Sequence, residues 1–284
     1  MSEDHVYMSL VEEHGEDGAR WAFGTGFEDP LYGIDASVPA DVDVTRLAAY
    51  CLALGDDALV FAQRLAQWCT AAPELEVEVA LANLGLDLIG QARMLYTRAG
   101  QIDGTGRGED AYAYFRDPDE FRNVRLAELP NGDFAFSIAK LLMFSSWRLA
   151  LFERLTDAPD PVLAAVAAKG VKELTYHREF AAEWTLRLGD GTTTSRRKMQ
   201  QGLDHAAAYL DELFARHSEF DPDPADVRRE VHDVLRHVLD AAKLSVPTTA
   251  ASAGSGREGR HTEHLAPLLT ELQSEARADP EATW

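Results

Sequence analysis

The sequence predicts an all-α protein organised around a bundle of four long helices. Three observations lead there: apolar residues recur at spacings of three and four through long stretches, no segment alternates with period two, and the long periodic segments form two pairs divided by one extended irregular connection. The chain has 284 residues, 46% hydrophobic and 26% charged, enough to build one large core. Lys plus Arg number 27 against 48 Asp plus Glu, a net charge of −21 that disfavours nucleic acid and membrane surfaces as partners. Apolar runs such as the one at Leu81 to Leu84 are punctuated by Asn83, Gly85 and Asp87 well before the ~20 residues of a membrane span, so no helix is expected to cross a bilayer.

Residues 1–44 are rich in Gly, Asp and Pro and show no sustained period, so they are expected to form an irregular acidic extension, partly disordered, ahead of a helical domain over residues 45–284. Met1 to Gly18 lacks a basic region followed by an apolar one, which speaks against a secretory signal and for a cytoplasmic protein. From Thr45, a plausible cap, the residues Leu47, Cys51, Leu54, Ala58, Phe61, Leu65 and Trp68 trace one face of a first helix. Pro73 opens a second helix with Glu74 and Glu76 in its first turn, running to about Ala99. It is apolar nearly all round (Val77, Val79, Leu81, Leu84, Leu86, Leu88, Ile89), which predicts a central helix surrounded by others.

Gly100 to Gly108 and the aromatic stretch Tyr112 to Glu120 read as a long crossover. The turn signature Pro130-Asn131-Gly132 leads into a third helix, about Asp133 to Leu155, and Pro159 and Pro161 precede a fourth, about Val162 to Leu188, stopped by Gly189-Asp190-Gly191. Further helices are expected at about Thr194 to Arg216, Pro224 to Leu244 and His261 to Ala278. Two helical hairpins joined by a long connection, with additional C-terminal helices, describe a ferritin-like four-helix bundle. Cys51 and Cys69 both sit in apolar segments and read as buried thiols.

Enzymes on such bundles place one Glu on each of two helices and a Glu-x-x-His on each of the other two around a di-iron centre. The carboxylates bridge the irons, the imidazoles give each a neutral donor, and the i, i+3 spacing puts both on one helix face. Neither expected segment carries the motif. With His177 at the histidine position, the residue three before it is Leu174; with Gln91 there, the residue three before is Leu88. An acid survives one step earlier in each, Asp87 and Glu173. Asp57, beside Asp56 in the first helix, could supply a carboxylate, while Lys140 stands in the third helix near the level where another is expected. The expectation is a vestigial set, Asp57, Asp87, Leu88, Gln91, Lys140, Leu174 and His177 with Glu173 adjacent, holding no metal and catalysing nothing. In it the Lys140 ammonium would take the place of a cation among Asp57, Asp87 and Glu173. His232 and His237 lie on a charged helix and read as surface residues. The run Gly254 to His264 (GSGREGRHTEH) lacks the strand that a phosphate-binding loop needs, and reads as a flexible lead into the last helix. No G-x-S-x-G nucleophile context appears.

The runs APELEVEVALANLGLDLIGQAR (72–93), FRNVRLAELPNGDFA (121–135), KELTYHREF (172–180), KMQQGL (198–203) and HTEHL (261–265) resemble the structural-subunit family, PaaC, of bacterial phenylacetyl-CoA 1,2-epoxidases, with the likeness covering about Thr45 to Trp284. The resemblance implies a ferritin-like, non-catalytic partner that binds and stabilises the catalytic subunit PaaA. That subunit holds the di-iron site and epoxidises the aromatic ring of phenylacetyl-CoA, with electrons from NADPH through a separate reductase subunit. It also implies a hetero-oligomer with no cofactor in this chain. Tyr112, Tyr114, Phe115, Arg116, Phe121 and Arg122 in the crossover are of the types that interfaces favour, and equally could pack on their own bundle. The rival readings are a divergent di-iron oxygenase using Asp57, Asp87, Glu173 and His177, and a ferritin-like storage or binding protein.

Overall fold

The computed structural model describes Leu31 and residues 33–281, and every described element is helical. Four long helices make the bundle: α1 (Val44–Ala66), α2 (Leu75–Ile102), and, after short helices α3 (Glu109–Tyr114) and α4 (Arg125–Glu128) in the crossover, α5 (Phe134–Leu155) and α6 (Pro161–Asp190). α1 pairs with α2 and α5 with α6, as the two-hairpin reading requires. Helices α7 (Thr193–Ala207) and α8 (Pro224–Ala241) flank α5, and α9 (Leu265–Ala278) covers the crossover and α1. This is the all-helical, ferritin-like architecture expected from the pattern.

Local chemistry sets the boundaries. Asp43, rather than Thr45, caps α1 by accepting from the Arg46 N–H at 3.1 Å. Asp133 and Asp160 do the same for α5 and α6, the latter with Pro161 at the first helical position. α6 stops at Asp190 with Gly191 as its C-cap, inside the Gly189-Asp190-Gly191 signal, and Gly189 itself lets Ala242 pack close, since a Cβ there would sit 2.5 Å from the Ala242 carbonyl oxygen. α7 ends at Ala207 and gives way to a short 3-10 turn at Asp211–Phe214, so the predicted helix to Arg216 is shorter than its composition suggests. Cys51 is buried, but Cys69 is exposed, because α1 has already ended at Ala66 and the chain turns outward there.

α5 is long and apolar enough to cross a membrane, yet it is almost wholly enclosed by the bundle, where all four sides need apolar residues. The enclosed, all-round apolar helix is therefore α5. The second helix, expected at the centre, buries only one side; its opposite face carries Leu75, Val79, Leu86 and Ile89 in the open. Most of the acidic extension, residues 1–30, lies outside the described residues. Its last part belongs with the domain: Ile34, Val38 and Val42 pack on the core, and the Ala36 carbonyl accepts from Arg98 at 2.7 Å.

Candidate functional site

The side chains at the level expected for metal ligands form two halves. On α1, Asp56 and Asp57 are both completely buried and turn to different partners. Asp56 accepts from the Tyr96 hydroxyl at 2.7 Å, from the Arg122 backbone N–H at 2.8 Å, and from both terminal nitrogens of Arg116. Asp57 accepts from the Val124 N–H at 2.8 Å and is gripped by both terminal nitrogens of Arg257, at 3.0 and 2.6 Å, in the forked geometry that suits guanidinium and carboxylate. The Arg148 Nη1 approaches Asp57 at 3.8 Å from the other side. Burial pushes the Asp57 carboxyl above its ordinary range, and Arg257 and Arg148 pull against it.

The second half lies between α2 and α6. Arg148 of α5 reaches it with its Nε donating to the Gln91 Oε1 at 2.9 Å, while its Nη2 donates to the Leu54 carbonyl at 3.2 Å and its guanidinium stacks over the Phe152 ring. Gln91 passes the interaction on, its Nε2 donating to the Glu173 Oε2 at 2.9 Å; Lys169 closes the chain on the other Glu173 oxygen. His177, buried, meets the half-exposed Asp87 with its Nε2 3.0 Å from the carboxylate. Leu88 and Leu174 are core residues with no exposure.

The structure thus unites Asp57, Gln91, Glu173, His177 and Asp87 in one polar layer but corrects the role given to Lys140. That ammonium is buried, yet it donates to the carbonyls of Leu129 and Pro130 at 2.7 and 3.1 Å and to Asn131 Oδ1 at 3.2 Å, tying the end of the crossover to α5. It stands about 12 Å along the helix from Arg148, at 1.5 Å per residue, too far to serve the acids. Burial, with Arg64 nearby, pushes its pKa well down. The cation among the acids is Arg148, whose pKa burial lowers only to about 10, so it remains charged at neutral pH. Sequence reasoning missed Arg148 and Arg257. Arg148 left one signal, a lone arginine in the apolar run Phe144 to Phe152; Arg257 left a weaker one, a Gly-rich run with two arginines that suits an anion but has no period to place it.

The crossover aromatics divide. Tyr112, Arg116 and Phe121 are buried in their own bundle, with Arg116 over the Phe121 ring, whereas Phe115 is exposed. The Gly254 to His264 loop is a plug, not a flexible lead. Its Gly256 lies so close to the Asn123 carbonyl oxygen that a Cβ would be 1.9 Å away, and Arg257 also donates to the Ala53 and Arg122 carbonyls. His261 stands with its Nδ1 3.4 Å from the Glu128 carboxylate and its Nε2 2.9 Å from the Phe121 carbonyl; although burial opposes the imidazolium, Glu128 outweighs it and raises the pKa.

The family described as phenylacetic acid catabolic proteins matches residues 34–284. The chain belongs to this family. The match begins eleven residues before Thr45, taking in the segment that packs on the core through Ile34, Val38 and Val42. The C subunit of the 1,2-phenylacetyl-CoA epoxidase of Escherichia coli K12 is 42% identical over 250 residues, covering 85% of this chain and 100% of that protein.

Within such a ferritin-like bundle, the polar layer does not suit a di-iron centre. Two donor positions are leucines, a third is an amide whose oxygen is already engaged by Arg148, and Asp57 is neutralised by guanidinium groups that metal cations would have to displace. Among the described residues, no three His, Cys, Asp or Glu side chains come together to hold a metal ion. What the layer does chemically is satisfy its own charges, and in doing so fasten the crossover and the C-terminal loop to α1.

Proposed function

We propose that this chain is the structural, non-catalytic subunit of a phenylacetyl-CoA 1,2-epoxidase, acting in phenylacetate catabolism by binding and stabilising a di-iron catalytic subunit. The observation that carries the reading is the buried Arg148 guanidinium, set between Asp57 and Gln91 inside the bundle, at the level where a di-iron enzyme of this fold needs metal donors. The likeness to the C subunit of the Escherichia coli enzyme supports the same assignment. In this reading the chain keeps the helical shape that mates with another bundle and carries no cofactor, the oxygen chemistry and the electrons from NADPH being handled by the catalytic and reductase subunits.

The test is elemental analysis of the chain purified alone from iron-replete cells, paired with turnover by the catalytic subunit with and without it. Iron well below one per chain, with turnover that depends on adding this chain, is the expected result. About two irons per chain, as a di-iron bundle enzyme holds, would instead make it an oxygenase in its own right.

A further inference from the structure

Four of the eight well-exposed large hydrophobic side chains among the described residues, Leu75 (72% exposed), Val79 (52%), Leu86 (64%) and Ile89 (39%), lie on one face of α2. With Ala82, the α2 residues are spaced 4, 3, 4, 3, which makes a straight seam of the kind that interlocks with a second helix crossing at about 20°. Gly90 sits beside the seam in the middle of a helix, and a Cβ there would meet nothing. A bare glycine at such a place costs roughly 1 kcal/mol against alanine and leaves room for another backbone to come close. Monomers rarely leave so continuous an apolar face in water.

The charges around the seam say what kind of chain covers it. Glu74, Glu76 and Glu78 crowd its first turn, while at its other end Arg93 is already paired with Glu109 at 2.8 Å. A second copy laid antiparallel would gather three or four acids around one arginine at each end, and a parallel copy would set acid against acid, in chains that each carry −21. We propose that this face docks a different α-helical chain, whose own apolar seam lies along Leu75 to Ile89 and is flanked by lysines and arginines that meet Glu74, Glu76 and Glu78. The partner supplies the neighbours that α2, apolar nearly all round, lacks in this chain alone.

The inference rests on the subunit reading, and the experiment separates the two. The full chain and its Leu86→Glu, Val79→Glu and Glu74→Lys/Glu76→Lys variants are each co-expressed with the tagged catalytic epoxidase subunit, and affinity is measured by titration. Val246→Glu, at an exposed hydrophobic residue after α8, is the control. All the altered side chains are exposed, so an unchanged thermal midpoint shows that the variants fold. The expected result is that wild type and Val246→Glu bind, Leu86→Glu and Val79→Glu bind at least tenfold more weakly, and the charge reversal weakens binding severalfold. Binding by wild type and by the seam variants alike overturns the surface and leaves the subunit reading standing. Failure of wild type itself to bind overturns both. A wild-type dimer that Leu86→Glu dissociates assigns the face to a second copy and overturns the proposal.

Discussion

The α1 half of the polar layer and its α2–α6 half are built from similar residue types and held in different ways. Asp56 and Asp57 are sealed from water, and their counter-charges come from far along the chain: Arg116 from the crossover and Arg257 from the C-terminal loop. Across the layer, Asp87 and His177 reach each other directly between neighbouring helices, with Asp87 partly in solvent, and Glu173 is served by Lys169 from the preceding turn of its own helix. In the first half, loss of a partner strands a buried charge. In the second, the half-exposed Asp87 and the partly exposed Lys169 and Glu173 can turn to water. The difference teaches that the α1 half is the tertiary lock of the molecule, fastening two long irregular segments to the bundle, while the α2–α6 half only joins elements that already touch.

The sharpest way to break this contrast is to remove one side of the lock. Arg257→Ala leaves Asp57 buried without its forked partner, and truncating one member of a buried pair costs about 3–5 kcal/mol. Chemical denaturation should show that loss, with the loop around residues 254–264 becoming protease-sensitive. A loss under 1 kcal/mol would mean that Arg148 alone compensates Asp57. Gly256→Ala probes the same lock through backbone, since its Cβ would fall 1.9 Å from the Asn123 oxygen. Displacing the loop should cost about 2–3 kcal/mol, in the range of severe steric substitutions, and should be read in the same denaturation experiment.

On the other side of the comparison, Asp87→Asn should change stability by no more than about 1 kcal/mol, because the half-exposed side chain keeps a hydrogen-bonding group for His177 and has water beside it. A loss as large as that of Arg257→Ala would erase the distinction between the halves. The smallest effect concerns pH. His261 has its pKa raised by Glu128, so it binds its proton more tightly folded than unfolded. Its stabilising contribution is full below the unfolded value near 6.5 and is lost as pH climbs through the raised folded value. Relative to His261→Gln, the wild type should lose about 1 kcal/mol or less over that rise, measured as a narrowing gap in thermal midpoints.

Much of this could be read from the chain in advance. The four long helices follow from apolar residues at spacings of three and four, and the absence of Glu-x-x-His at Leu88-x-x-Gln91 and Leu174-x-x-His177 is a matter of spelling. Lys140 and Arg148 show where that reading ends. Both are basic residues on α5, two turns apart, and nothing local says which one points at the acids. The crossover settles it, because its carbonyls at residues 129 and 130 surround Lys140 and leave Arg148 as the only one of the two beside Asp57 and Gln91. The second helix misled for a related reason: all-round apolarity shows that a helix wants neighbours on every side, without saying whether its own chain supplies them.

By itself, then, the sequence determined the four long helices, the two-hairpin grouping and the loss of the metal-binding pattern, because each depends on residues a few positions apart whose geometry the helix fixes. The tertiary structure alone decided that Arg257 plugs Asp57 from 200 positions away, that Asp56 belongs to Arg116, and that one flank of α2 stays uncovered. The physical reason is that burial makes pairing obligatory for a charge but does not name its partner, and the partner is whichever donor the packed chain brings within reach.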